Sequence, residues 1–233
     1  MTRFVDVEAI VVDIEGTTSK SSHVFDVLFP YARTRLASWV EQHPGAHLED
    51  LRTQTESLLG VESITDTEFI EALEKWSDDD VKASPLKTVQ GEIWAAGFAA
   101  GELTSHLFDD VAPALSAWHQ GEKRLFVYSS GSVTAQKSWF AHTSAGDLTP
   151  LFEGYFDTVN AGHKRESDSY QKIADVVNVA PAHILFVTDV PEEVDAAHSA
   201  GWQAVGLARA GEPHASRLEP RHNPVASFRE IEF

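Results

Sequence analysis

The chain has 233 residues, enough for one large domain or for a core carrying an insertion. Its apolar content of 42%, with 13 Phe and 6 Trp, excludes intrinsic disorder, and no apolar run approaches the roughly 20 residues of a membrane span. A formal charge of −18 argues against nucleic acid as a partner, and the lack of cysteine excludes disulfides, thiolate metal sites and a cysteine nucleophile. The opening Met1-Thr2-Arg3-Phe4-Val5-Asp6 lacks the basic-then-apolar pattern of a signal peptide, so the cytoplasm is the expected compartment.

Ala9 to Val12 is the first strong element. It does not alternate apolar with polar, so it reads as a strand buried on both faces. Asp13 stands at its carboxyl end, where open parallel sheets place their ligands. Glu15 follows two residues on, and Gly16 permits a sharp turn before Thr17 and Thr18. Taken alone, Asp13 could merely cap the next helix.

Residues 21–112 differ in character: no buried strand is evident and helical periodicity dominates. Pro30 suits a first helical turn, followed by Leu36, Trp39 and Val40 on one face. Ile70, Leu73 and Trp76 recur at threes after the capping residues Thr65 and Asp66. Ser77 to Asp80 and Ser84-Pro85 break that pattern before Val89, Ile93, Ala96 and Ala100. His43 and His47 are four apart, but Pro44 and Gly45 argue against a helical metal pair. The block reads as an all-helical insertion between core segments 1–20 and 113–233.

Strands and helices then alternate. Leu125 to Tyr128 is an apolar run ending at Ser129-Ser130-Gly131-Ser132, with a helix through Val133, Lys137 and Phe140. Tyr155 to Val159 is the next expected strand, leading to Gly162-His163-Lys164. Ile173, Val176 and Val177 mark a helix, Ile184 to Val187 a strand ending at Thr188-Asp189, Glu192 to Ala200 a helix, and Gln203 to Leu207 a last strand. The alternation predicts an α/β fold with a doubly wound parallel sheet. Residues 208–233 carry no clear pattern.

Three apolar strands thus end in Asp13, Ser129 and Asp189, and in one sheet their ends would converge on one crevice. Two strand-end carboxylates can anchor one Mg²⁺, which takes oxygen ligands and keeps several waters. Ser129 to Ser132 offers hydroxyls and N–H groups before a helix, a cradle for an anion or an ordinary turn. Lys164 would serve as a point charge beside them. Glu193 could reach the metal through water or simply favour a helix N-terminus.

The ordered set of Asp-x-Glu, Ser-Ser-Gly, Lys and Thr-Asp resembles the haloacid dehalogenase superfamily of phosphotransferases. More closely, Asp13-Ile14-Glu15-Gly16-Thr17-Thr18, Gln90-Gly91-Glu92-Ile93-Trp94, Gly162-His163-Lys164, Glu166 to Tyr170 and Leu185 to Val190 look like the enolase-phosphatase E1 family of methionine salvage. The resemblance implies enolisation of 2,3-diketo-5-methylthiopentyl-1-phosphate, then removal of its phosphate. It implies Asp13 as nucleophile, Glu15 as acid and base, Ser129, Ser130 and Lys164 on the phosphate, and Mg²⁺ held by Asp13, Asp189 and the Glu15 main-chain carbonyl. Glu15 would work best with its pKa raised towards roughly 6–7 by partial burial. The insertion would be a cap that closes over the crevice, with Gln90, Glu92 and Trp94 as residues to test. The expected partner is this small phosphorylated diketone, with no nucleic acid and no membrane, and the expected state is a monomer. A sugar-phosphate phosphatase or phosphomutase on the same scaffold is the main alternative, ahead of a dehalogenase, which has no need of Mg²⁺ or of an acid at Glu15. A receiver-like phosphate-accepting switch is the remote one, since it has no use for so large an insertion.

Overall fold

The computed structural model describes residues 2–233. It divides into two units, one running to Ser21 and resuming at Thr104, the other spanning Ser22–Leu103. The sequence pattern puts the return to the core at residue 113. The difference is the segment Thr104 to Asp110 before the next helix, which carries no strand or helix signal to mark the boundary.

The chain opens with β1 (Thr2–Arg3) and β2 (Ala9–Val12), then enters the helical unit. A π-helical turn at Val24–Leu28 precedes α1 (Phe29–Arg33), α2 (Leu36–Gln42), α3 (Ala46–Leu59), α4 (Asp66–Asp78) and α5 (Ser84–Ala99). Leu36, Trp39, Val40, Leu48, Leu51, Phe69, Leu73, Leu86, Val89 and Ile93 form its core. Thr65 starts α4 with a reciprocal cap, its hydroxyl accepting from the Glu68 N–H while the Glu68 carboxylate accepts from the Thr65 N–H. His43 and His47 bond separately, to the Trp39 carbonyl and to Glu92. Gln90 is buried, and the Trp94 indole donates to the Leu28 carbonyl at 2.8 Å while stacking on Phe29.

The other unit continues with α6 (Val111–Gln120), β3 (Arg124–Tyr128), α7 (Val133–Ala141), β4 (Phe152–Phe156), α8 (Ser167–Val177), β5 (Ile184–Thr188), α9 (Pro191–Ser199), β6 (Gln203–Gly206) and β7 (Ile231–Glu232). Five strands form a parallel sheet in the order β4-β3-β2-β5-β6, and β1 pairs with β7 in a separate ribbon. Ala9 and Val11 join a core with α8 and α9, while Ile10 and Val12 are fully buried on the opposite face, so β2 has no polar position to spare. Val12 lies level with Val127 on one side and Val187 on the other. Strand order reverses across β2, which makes its carboxyl end the switch point of the sheet.

The fourth strand is displaced from its expected place, starting at Phe152 and stopping at Phe156. The Asp157 carboxylate accepts from the Val159 and Asn160 N–H groups and closes a turn there. Glu153 and Gly154 hide the strand's start from any apolar-run reading, and Gly154 lets the Phe126 ring approach closely. No helix among the described residues is long and apolar enough to cross a membrane.

Candidate active site

The register that levels Val12 with Val127 and Val187 carries three strand ends to one place. Asp13 is held there by its main chain, which donates to the Val187 carbonyl at 2.9 Å, and by its own Oδ1, which accepts from the Ile14 N–H at 2.7 Å. The following loop folds on itself: the Ile14 carbonyl accepts from Thr18 and Ser19, and the Thr18 hydroxyl donates to the Asp13 carbonyl at 3.0 Å. Gly16 has φ +72°, and a Cβ there would overlap the Asp189 carboxylate, so glycine is required both by conformation and by space.

Lys164 lies between two carboxylates. Its Nζ is 2.7 Å from Asp13 Oδ2 and 2.8 Å from Glu193 Oε2, with all three side chains buried. Burial alone would lower the ammonium's pKa, but the charges of Asp13 and Glu193 outweigh it and hold Lys164 above the ordinary lysine range. The loop carrying Lys164 is pinned through its carbonyls: the Tyr128 hydroxyl donates to Gly162 at 2.8 Å, the Ser169 hydroxyl to His163 at 2.9 Å, and the Tyr170 hydroxyl to Lys164 at 2.6 Å. Both tyrosines are fully buried, and burial raises their pKa values, that of Tyr128 to about 12, so they act here as neutral donors.

Asp189 is buried at the end of β5, and the Thr188 hydroxyl before it donates to Glu193 at 2.7 Å. Asp189 is not the cap of α9, where Val190 stands instead. Burial, and after it the charge of Asp13, pushes Asp189 up to about 8. Ser129 is buried at the end of β3, while Ser130 is exposed. Ser132 caps α7 by accepting from Ala135, and the buried Gln136 beneath the loop donates to its carbonyls.

Asp13, Lys164 and Asp189 therefore meet with Ser129 at the strand ends, and His163 is exposed beside them. Glu15 is exposed rather than partly buried as expected, although Gly16 to Ser19 after it are buried and Ser19 returns to bridge it. Glu193 is a partner of Lys164, a role that its spacing from Asp189 does not announce. Three buried carboxylates face a single ammonium, and that imbalance fits a hard divalent cation. Among the described residues no group of three His, Cys, Asp or Glu side chains forms a complete cage. A cation here would rest on Asp13, Asp189 and main-chain or solvent oxygen, as magnesium-type sites do.

A parallel sheet switching at a strand-end aspartate, with a lysine and a second aspartate on neighbouring loops, defines a haloacid dehalogenase-like hydrolase, and the family model of that description matches residues 7–201. Within that class the chain belongs to the enolase-phosphatase E1 family. Proteins named Enolase-phosphatase E1 from Frankia alni and Pseudomonas fluorescens are 52% and 48% identical to it. They cover 96% and 97% of this chain and 94% and 97% of their own. Among solved structures, the UTR4 protein of Saccharomyces cerevisiae superposes with a TM-score of 0.78 at 28% identity, covering 95% of this chain and 98% of that one. CbbY of Rhodobacter sphaeroides, at 17% identity and a TM-score of 0.60, shares the fold.

Proposed function

We propose that the chain enolises 2,3-diketo-5-methylthiopentyl-1-phosphate and then hydrolyses it to the acireductone 1,2-dihydroxy-3-keto-5-methylthiopentene and phosphate. Asp13 attacks phosphorus, forming an aspartyl-phosphate as the bond to the enol oxygen breaks, and water then cleaves that acyl phosphate. Glu15, two residues on and exposed, protonates the departing enol oxygen and later takes the proton from the attacking water. Lys164 steadies the Asp13 carboxylate and the phosphoryl oxygens, and Ser129 and Ser130 hold the transferred group in line. Asp13, Asp189 and the Glu15 carbonyl would hold Mg²⁺, which when bound would supply charge neutralisation for the phosphoryl group and for the enolate. Enolisation removes a proton from the carbon bearing the phosphate ester. The protein is expected to act as a cytoplasmic monomer.

The observation that carries this reading is the Lys164 ammonium seated between Asp13, at the end of β2, and Glu193, in the first turn of α9. The diketone phosphate is assayed for free phosphate and for acireductone ultraviolet absorbance together. Both should appear in step, EDTA should abolish both, and Asp13→Asn should lower phosphate release by about a thousandfold or more. Phosphate without the absorbance would overturn the assigned substrate chemistry.

A further inference from the structure

Gln136 lies inside α7 with 1% of its surface exposed, beneath the loop that joins β3 to that helix. Its Nε2 donates to the carbonyls of Gly131 at 2.7 Å and Phe156 at 2.8 Å, and approaches that of Ser129 at 3.4 Å. With three acceptors around it, this end of the amide must be the nitrogen. The other end, Oε1, is buried with no hydrogen-bond partner among the described residues. Leaving a buried acceptor without a protein donor has a cost that an apolar residue of the same size would avoid, so packing alone does not account for an amide here.

The geometry of the loop supplies a reason. A trans peptide is planar, and its C=O and the next residue's N–H point in opposite directions. Drawing the Ser129 carbonyl towards Gln136 therefore turns the Ser130 N–H away from it, and drawing in the Gly131 carbonyl does the same to the Ser132 N–H. Neither of these N–H groups has an acceptor among the described residues. Gly131 N–H leans on the Ser129 hydroxyl at 3.4 Å, and the Val133 N–H is taken by Asp157 at 3.0 Å, which fixes both ends of the stretch.

We propose that Gln136 is a positioning residue for phosphate: its buried amide gathers the loop carbonyls inward and so aims the Ser130 and Ser132 N–H groups at the bound phosphoryl group. The inference rests on the role given above to Ser129 and Ser130. It adds a residue that never touches substrate and acts only through the peptide planes it orients. Successive N–H groups facing one way make an anion cradle that no side chain has to complete.

The test uses the whole chain with Mg²⁺ and inorganic phosphate as the probe, measured by titration calorimetry beside steady-state kinetics and thermal melting. Gln136→Met keeps length and removes the donor. It should weaken phosphate binding and raise KM by about tenfold, with kcat held within about threefold. Phe140→Leu, one turn further along α7 and fully buried, serves as the control for packing loss and should lower the melting temperature while leaving phosphate affinity within about twofold. Gln136→Glu can donate only when protonated, so its phosphate affinity relative to wild type should fall as pH rises from about 5 to 8. Unchanged phosphate affinity in Gln136→Met, or an equal loss in Phe140→Leu at matched stability, overturns the inference and leaves the proposed function standing. A wild type that binds no phosphate and hydrolyses no monoester overturns both.

Discussion

Asp189 is buried beside a second carboxylate, and the ammonium of Lys164 is engaged by Asp13 and Glu193. Its folded pKa of about 8 lies above the ordinary 3.8, with burial as the first cause and Asp13 the second. The folded chain thus holds this proton more tightly than the unfolded one. The stability it contributes is present below about pH 4 and is lost as pH rises through 8. In EDTA, the melting temperature of wild type should fall relative to Asp189→Asn between pH 5 and 8, and Mg²⁺ should restore more of it at pH 8 than at pH 5. A pH-independent difference between the two proteins would contradict this account. Asp13, Ser129 and Asp189 are legible in the sequence because each follows an apolar run, and Lys164 only through its place among those three segments. Glu193 and Gln136 are not. Four residues from Asp189 or three into a helix, a polar side chain looks the same whether it faces solvent, a lysine or a row of carbonyls.

Elements with strong internal signals were read where they stand. The cap at Thr65 and the apolar threes after it located α4, and removing the hydroxyl with Thr65→Ala should cost about 1 kcal/mol in urea unfolding at unchanged slope. A value near zero would mean that the Glu68 contact adds nothing to tertiary packing. Helix α3 had no comparable signature: it buries only Leu48, Leu51 and Thr55 along fourteen residues, too sparse a stripe to register as periodic. Strand β4 was misplaced for the opposite reason. Tyr155 to Val159 has the right residue types, but Asp157 bonds the backbone locally and ends the ladder. Fold class followed from the alternation of elements, while strand ends depended on such side-chain competition.

Across the whole molecule, distant parts of the chain meet at one buried ion pair. Arg209, just beyond β6, donates to Asp110 at 3.0 Å and, through Nε, to the Thr17 carbonyl at 2.6 Å. The Ser227 hydroxyl and Phe228 N–H donate to the same Asp110 carboxylate at 2.7 Å. Burial would raise the Asp110 pKa, but these donors and the guanidinium outweigh it and hold it below the usual range, so this stabilisation is present above about pH 4 and lost as pH falls through the folded value. Arg209→Met strands a buried carboxylate and should destabilise by about 3–5 kcal/mol in urea. A loss under about 1 kcal/mol would show the pair to be incidental. None of this is visible in residues 208–233, whose partners in this cluster lie 99 to 192 positions away and leave no local period.

The break in the first unit has one more consequence. The Lys20 N–H and the Ser19 hydroxyl both meet His106 Nδ1, at 3.1 and 3.3 Å, and the Phe108 N–H donates to the Thr18 carbonyl at 3.1 Å. The two severed ends of the sheet-bearing polypeptide therefore lie side by side, and the helices between them are a detour that leaves and rejoins at nearly one point. Such an attachment is modular: a lineage can lengthen, trim or exchange the detour without disturbing a single rung of the sheet's hydrogen-bond ladder.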